Sequence, residues 1–269
     1  MRHYKRVLTI AGSDPSGGAG VQADLKTFSA CGCFGTSAIV AVVDENTVGV
    51  TGVHPVPVDF VTGQIKSVLD DIGADAIKIG MLHSSELIRA VKETLAMYAI
   101  KDIVLDPVMV ATSGDKLLQD EAIETLKSEL IPFARIITPN IPEAEVLLDR
   151  KINGQDDMRV VIRDLSAGGK VSVLLKGGHL EDDEMADVFY NAESDEVFTI
   201  LSERIQTKNT HGTGCTFSSA IAAFLAHDLS LNEAIRNAKD YINSAIFAGS
   251  EYEIGKGHGP VHHFFKFWN

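Results

Sequence analysis

Val7-Leu8-Thr9-Ile10-Ala11-Gly12-Ser13-Asp14-Pro15-Ser16-Gly17-Gly18-Ala19-Gly20 opens on an apolar, β-branched run and passes straight into a glycine-rich loop. The run reads as a buried strand, and a helical pattern over residues 19–31 follows the loop. A strand, a glycine-rich turn and a helix in that order form the opening unit of an α/β sheet. The loop then sits at the carboxyl end of the strand, where such folds bind ligands. It lacks the lysine and hydroxyl of a Walker A loop, and its glycines miss the dinucleotide fingerprint. Alone it fits a ligand loop or a flexible connection equally well.

Outward from this unit the alternation continues. Residues 37–43, 76–79, 103–105, 135–138 and 171–175 are short, apolar and β-branched, predicting buried strands. Helical patterns cover residues 59–71, 85–98, 121–130 and 156–168. In 85–98, Leu87, Ile88, Val91, Leu95 and Tyr98 form one apolar stripe, with Arg89, Lys92 and Glu93 away from it. Repeated strand–helix units predict a mostly parallel sheet covered on both faces, with right-handed crossovers. The C-terminal third differs. Residues 185–190 and 196–201 predict an antiparallel hairpin around 191–195. A helix over about 214–226 is apolar on nearly every side, hence buried, and a second helix opens on Ser230-Leu231-Asn232-Glu233, a capping-box pattern. No repeat, low-complexity segment or linker divides the chain, so residues 1–269 are expected to form a single domain.

Composition narrows the function. With 37 acidic against 24 basic side chains the net charge is -13, which repels phosphate backbones and argues against nucleic acid as a general partner. A local cationic pocket for a nucleotide is not excluded by that total. Cys31, Cys33 and Cys215 form an odd set that suits a reducing compartment, and Cys31 and Cys33 read as small packing residues. The apolar stretch 7–12 is too short for a secretory signal, and no stretch approaches a membrane span, so a cytoplasmic protein is expected.

The strongest local signal is Asn209-Thr210-His211-Gly212-Thr213-Gly214-Cys215, directly before the buried helix. Glycines allow several amide N–H groups to approach a bound group, and the helix N-terminus adds partial positive charge. Such a cradle suits phosphate oxygens and the charge of a phosphoryl group in flight. Cys215 lies in the same field, which is expected to favour its thiolate. A glycine turn capping a core helix would look the same. Asp106, in Leu105-Asp106-Pro107-Val108-Met109, and Glu143, in Pro139-Asn140-Ile141-Pro142-Glu143, stand at or soon after strand ends. Carboxylates at one sheet edge can hold Mg²⁺ directly or through water, although each alone also reads as a helix cap or turn former. Lys176, before Gly177-Gly178-His179, ends another strand and could meet a phosphate, although lone lysines are usually solvated.

Taken as an ordered set, these segments resemble the ribokinase-like superfamily, and within it the hydroxymethylpyrimidine/phosphomethylpyrimidine kinases of thiamine synthesis. The matching stretches also include Gln22-Ala23-Asp24-Leu25-Lys26-Thr27-Phe28, Lys78-Ile79-Gly80-Met81, Thr138-Pro139-Asn140 and Gly257-His258-Gly259-Pro260-Val261-His262-His263. The resemblance implies a three-layer α/β/α fold with a mostly parallel central sheet. It further implies a homodimer, ATP and Mg²⁺ as cofactors, a monovalent cation left open, and 4-amino-5-hydroxymethyl-2-methylpyrimidine and its monophosphate as substrates. It places Gly212, Thr213, Gly214 and Cys215 at the anion hole, with Cys215 where sugar kinases carry an aspartate base. Gly12, Asp24, Val43, Glu45 and Met81 would line the pyrimidine pocket. Asn140, Lys176, Thr207 and Lys239 would contact ATP, and Asp106 and Glu143 would hold the metal. One departure stands out: Glu45-Asn46-Thr47 replaces the family's Gln-Asn-Thr, and an ionised glutamate can only accept hydrogen bonds. The competing readings are a pyridoxine or pyridoxal kinase of the same superfamily, and a non-catalytic pyrimidine-binding sensor.

Overall fold

Alternation along β1 (Arg6–Ala11) sets the layers. Val7 packs on one face of the sheet with Phe28, Phe217 and Ile221, while Leu8 and Ile10 pack on the other with Ile65, Leu87 and Val91. The same alternation recurs at Val104 against Ile103 and Leu105, and at Ile136 against Ile137. A sheet buried on both faces explains why its strands read as continuous apolar runs. This computed structural model describes residues 2–109, 118, 120–178 and 184–268. His179 lies outside the described residues.

Around β1, the parallel strands are β2 (Phe34–Ile39), β5 (Ala76–Ile79), β6 (Ile103–Leu105), β7 (Ile136–Ile137) and β8 (Ser172–Leu175). The antiparallel pair β9 (Glu184–Asn191) and β10 (Glu196–Glu203) completes the order β10-β9-β8-β7-β6-β5-β1-β2. The hairpin and the mostly parallel sheet match expectation. On one face lie α1 (Gly20–Ala30), α7 (Thr213–Ala226) and α8 (Leu231–Gly249), and on the other α2 (Val58–Asp71) to α6 (Gln155–Val161). The intervening helices are α3 (Ser85–Leu95), α4 (Asp120–Thr125) and α5 (Ile141–Leu148). Helix α8 begins with the expected box: Ser230 and Glu233 cap each other's backbone. Among the described residues no helix is long and apolar enough to cross a membrane.

Three local expectations need correction. Residues 37–43 are not one strand. β2 ends at Ile39, the Val40 amide donates to the Ala11 carbonyl (3.0 Å), and the chain then leaves the sheet as β3 (Ala41–Asn46). β3 pairs antiparallel with β4 (Gly49–Pro55), a strand that its glycines and proline hid from the sequence reading. The helix expected over 121–130 is α-helical only to Thr125 and winds as a π-helix over Leu126–Leu130. The helix expected over 156–168 stops at Val161, followed by a short 3₁₀ turn at Asp164–Ser166.

Beyond α8 the chain returns across the carboxyl edge of the sheet as a strap. The His258 amide donates to the Thr47 carbonyl (2.8 Å), and the His211 amide donates to the Gly259 carbonyl (3.0 Å). A Cβ on Gly257 would stand 1.8 Å from the Thr47 oxygen, so glycine is required for this approach. His263 anchors the end, buried, with Nε2 3.0 Å from Thr216 Oγ1. Burial, with Lys26 and His262 adding repulsion, pushes its imidazole down to about 3. An unfolded histidine takes up its proton near pH 6.5, so this stabilising effect is complete above that pH and is lost as pH falls from 6.5 towards 3. Between pH 7 and pH 5 the loss is about 2 kcal/mol. His263→Gln is expected to flatten that slope in urea titrations at the two pH values, and an unchanged slope would assign the acid sensitivity elsewhere.

Candidate active site

Because β1, β5, β6, β7 and β8 run parallel, their carboxyl ends open onto one edge. There, the start of α7 and the β3–β4 hairpin enclose a cavity of about 670 Å³. It is lined by Gly12, Val43, Glu45 and Met81, by Asp106, Asn140, Glu143, Lys176, Thr207 and Lys239, and by Gly212, Thr213, Gly214 and Cys215.

The turn into α7 is built on Gly212, which caps the helix with φ 75° and no side-chain cap. A Cβ there would lie 1.8 Å from the Gly18 carbonyl oxygen, so only glycine lets the N-terminal loop close against this helix. The Thr213 amide is taken by the Thr210 carbonyl at 3.2 Å. The amides of Gly214 and Cys215 have no hydrogen-bond partner among the described residues, and both residues line the cavity. First-turn amides left without protein partners form an anion site.

Beside them stands a buried cation–carboxylate cluster. Lys176 Nζ lies 3.0 Å from Asp106 Oδ1, which also accepts from Thr138 Oγ1 at 3.0 Å, while Ser218 Oγ donates to Asp106 Oδ2 at 3.2 Å. Lys176 Nζ would stand 3.3 Å from a Cβ on Gly214, which brings this charge against the free amides. The expectation that a lone lysine is solvated therefore fails: Lys176 is nearly buried and paired. Burial opposes the charge of Asp106, but Lys176 and Lys78 hold its carboxyl below the usual range. Burial likewise opposes the charge of Lys176, which Asp106 and Glu143 keep protonated.

Glu143 is both a cap and a wall of the cavity. With Asn140 it forms a capping box on α5: Asn140 Oδ1 accepts from the Glu143 amide (2.9 Å), and Glu143 Oε2 accepts from the Asn140 amide (2.8 Å). Its Oε1 has no partner among the described residues. Burial pushes its carboxyl up to about 7 against the pull of Lys176. No group of three or more His, Cys, Asp or Glu side chains gathers as a metal cage among the described residues. A magnesium ion that keeps its waters and rests mainly on phosphate oxygens needs only one or two carboxylates, and Glu143 and Asp106 fit that demand.

Gly12, Val43 and Met81 close the far end. A Cβ on Gly12 would meet Met81 Cε at 3.2 Å and Val43 Cγ2 at 3.8 Å. Glu45 Oε1 lies 3.9 Å from His211 Nε2, which pairs with Asp14 Oδ2 at 2.9 Å. Burial and the nearby Asp14 raise the Glu45 carboxyl, with His211 opposing. Asp14 also accepts from the amides of Ser16, Gly18 and Ala19, so one carboxylate organises the whole glycine-rich loop. Burial opposes its charge, but the bonds from His211, Ser16 and Ala19 hold its carboxyl far below the usual range.

Two expectations about charge and placement are overturned. Asp24 is not among the residues that line the cavity: it is fully buried and paired with Lys78, which is among them. The Cys215 thiolate is not favoured, because burial pushes the thiol up to about 11 despite Lys78 nearby and a hydrogen bond from the Gly20 amide. Asp14, Lys78, His211 and Asp187 went unassigned from sequence. Asp187 bonds Lys239 Nζ at 2.7 Å and accepts from the Gly177 amide at 2.9 Å. For Lys78 a signal existed: a cation in a strand otherwise made of Ala76, Ile77 and Ile79 must have a buried partner.

Comparison with known proteins agrees with this geometry. The family model described as phosphomethylpyrimidine kinase matches residues 14–262. The hydroxymethylpyrimidine/phosphomethylpyrimidine kinase of Escherichia coli (strain K12) is 48% identical over 262 residues, 97% of this chain and 98% of that one. A thiamine biosynthesis bifunctional protein of Geobacter sulfurreducens is 48% identical over 257 residues, 96% of this chain and 52% of that one. In structure, the ADP complex of Bacillus subtilis pyridoxal kinase superposes with a TM-score of 0.90 at 37% identity, covering 98% of this chain and 100% of that one. By sequence and by fold, the chain belongs to the phosphomethylpyrimidine kinase family, phosphotransferases of the ribokinase-like α/β fold.

Proposed function

We propose that this protein transfers the γ-phosphoryl group of ATP to the hydroxymethyl oxygen of 4-amino-5-hydroxymethyl-2-methylpyrimidine. The resulting monophosphate is then phosphorylated to the diphosphate at the same site, supplying thiamine synthesis. The observation that carries this is the pair of unpartnered amides at Gly214 and Cys215, set beside Lys176 and opening onto the cavity. In a largely dissociative transfer the protein's work is alignment and charge stabilisation, which amides and a fixed ammonium supply. Asn140, Lys176, Thr207 and Lys239 contact the nucleotide. Gly12, Val43, Glu45 and Met81 hold the ring. Asp106 and Glu143 take Mg²⁺ or its waters, and the ion supplies charge neutralisation on the phosphates. The reading carries with it one kinase domain over residues 1–269, a homodimer and a cytoplasmic location, the last supported by three free cysteines.

Incubation with Mg-ATP and the free pyrimidine, followed by mass analysis, is expected to yield both phosphates. A parallel incubation with pyridoxal tests the second reading, which the likeness to pyridoxal kinase favours. Pyridoxal phosphate formed without either pyrimidine product would replace the first reading with the second. Cys215 adds a further test. A thiol held neutral is a poor base, so Cys215→Ala is expected to lower kcat by less than about tenfold, whereas loss of a working general base costs roughly 10²–10⁴. Cys215→Asp, measured beside it, checks whether a base that is ionised at neutral pH restores any rate. A fall above 10² in the alanine variant, recovered by aspartate, would return the base role to Cys215.

A further inference from the structure

Lys78 sits in the middle of the molecule with no exposed surface, an arrangement that costs several kcal/mol per ion unless something offsets it. Its ammonium lies 2.9 Å from Asp24 Oδ1 and 3.0 Å from Oδ2. Each of those oxygens also accepts a hydroxyl, from Ser219 (2.6 Å) and from Thr9 (2.6 Å) respectively. Asp24 is therefore saturated and is not among the residues that line the cavity, whereas Lys78 is, although its side chain has no solvent-exposed surface. Of the two charges, the positive one is the member nearer the cavity. Gly80 makes this possible, because a Cβ there would stand 3.1 Å from Lys78 Nζ.

The location is specific. Ser219, which grips Asp24, lies one helical turn from Cys215 on α7, so the pair sits beneath the first turn that carries the free amides. The charges facing Cys215 are Lys78, Asp24 and Asp106, with Lys176 also close enough to be felt and the Gly20 amide directed at the sulfur. Lys78 also acts on Asp106. A purely structural pair would gain little here, since a buried ion pair is often matched in stability by an apolar pair of similar volume.

We infer that Lys78 is a positioning residue for phosphoryl transfer: a cation fixed by Asp24 that gives the Cys215 end of the anion hole its positive potential, complementing Lys176. The inference rests on the phosphotransfer reading. If the wild-type protein forms no phosphorylated product, that reading fails. If wild type is active and removal of the pair changes nothing, this inference alone fails.

The test uses the full chain. Lys78→Met alone would strand Asp24 as a buried charge, so the double variant Asp24→Asn/Lys78→Met removes both charges together. With its unfolding midpoint near wild type, it is expected to lose about 10–10² in kcat while KM for the pyrimidine changes less than threefold. The rate of Cys215 alkylation by iodoacetamide, followed by peptide mass against pH, is expected to shift its midpoint upward. A role confined to stability would move neither reading. A folded double variant with kcat within twofold of wild type and an unshifted alkylation midpoint overturns the inference. Should the double variant not fold, Lys78→Arg decides, because it keeps the charge and its partner. Retention of kcat within about fivefold supports the inference, and a loss above 10² in folded protein overturns it.

Discussion

Gly212→Ala is expected to lower kcat/KM by about 10³, the cost of misplacing anion-hole donors, and to depress the unfolding midpoint as well. Two effects combine at this residue. Its φ of 75° is one that a side chain adopts only with strain, and the added carbon would stand 1.8 Å from the Gly18 oxygen, inside the contact distance of any pair of atoms. The glycine-rich loop and the start of α7 must then separate, which moves Asp14, His211 and the free amides together. Gly214→Ala provides the contrast. Its Cβ meets only Lys176 Nζ at 3.3 Å and Asp106 Oδ2 at 3.8 Å, so the fold tolerates it while the methyl occupies space proposed for the phosphoryl group. Steady-state kinetics and thermal melts on the two variants separate these mechanisms. A Gly212→Ala enzyme within tenfold of wild type would show that the amides at the start of α7 do not hold the transferring group.

Lys176→Met is expected to be nearly as severe, lowering kcat by roughly 10²–10³ through loss of a fixed cation at the site of charge development. Asp106 is buried and takes its shortest ionic contact from Lys176, and Glu143 shares that field. Removing one partner of a buried pair strands the other at a cost of roughly 3–5 kcal/mol. The stability loss can be divided from the catalytic one. Asp106→Asn/Lys176→Met is expected to recover most of the unfolding midpoint and none of the rate. Recovery of both in the double variant would mean that Lys176 only neutralises Asp106 and takes no part in transfer.

Much of this architecture was legible because α/β sheets write their periodicity plainly. The buried strands, the capping box at Ser230 and the C-terminal hairpin all come from local patterns that tertiary packing reinforces. What was hidden has physical reasons. After Ser37 the run to Val43 is uniformly apolar, so nothing in it reports that the backbone changes sheets at Val40; that depends on a hydrogen bond to Ala11, distant in sequence. β4 carries Gly49, Gly52 and Pro55, each a breaker in isolation, because its partner is a single strand standing apart from the main sheet. At the site, residue types were readable but orientation was not. Asp24 and Lys78 form one fully buried pair, yet only Lys78 is among the residues that line the cavity. Glu143 caps α5 and also lines the cavity, one carboxylate oxygen taken by the Asn140 amide and the other without a partner among the described residues. Cys215 shows a competition of magnitudes: the helix terminus and Lys78 favour a thiolate, and burial outweighs them.

The strap over residues 255–260 has a consequence for how two ligands sense each other. It hydrogen-bonds Thr47 at the tip of the β3–β4 hairpin and His211 in the loop before α7, so one segment ties together two elements that enclose the cavity. Any coupling that this link carries between the two occupancies is reciprocal, one shared factor acting in both directions. Whatever gain nucleotide confers on pyrimidine affinity, pyrimidine must return to nucleotide in equal measure.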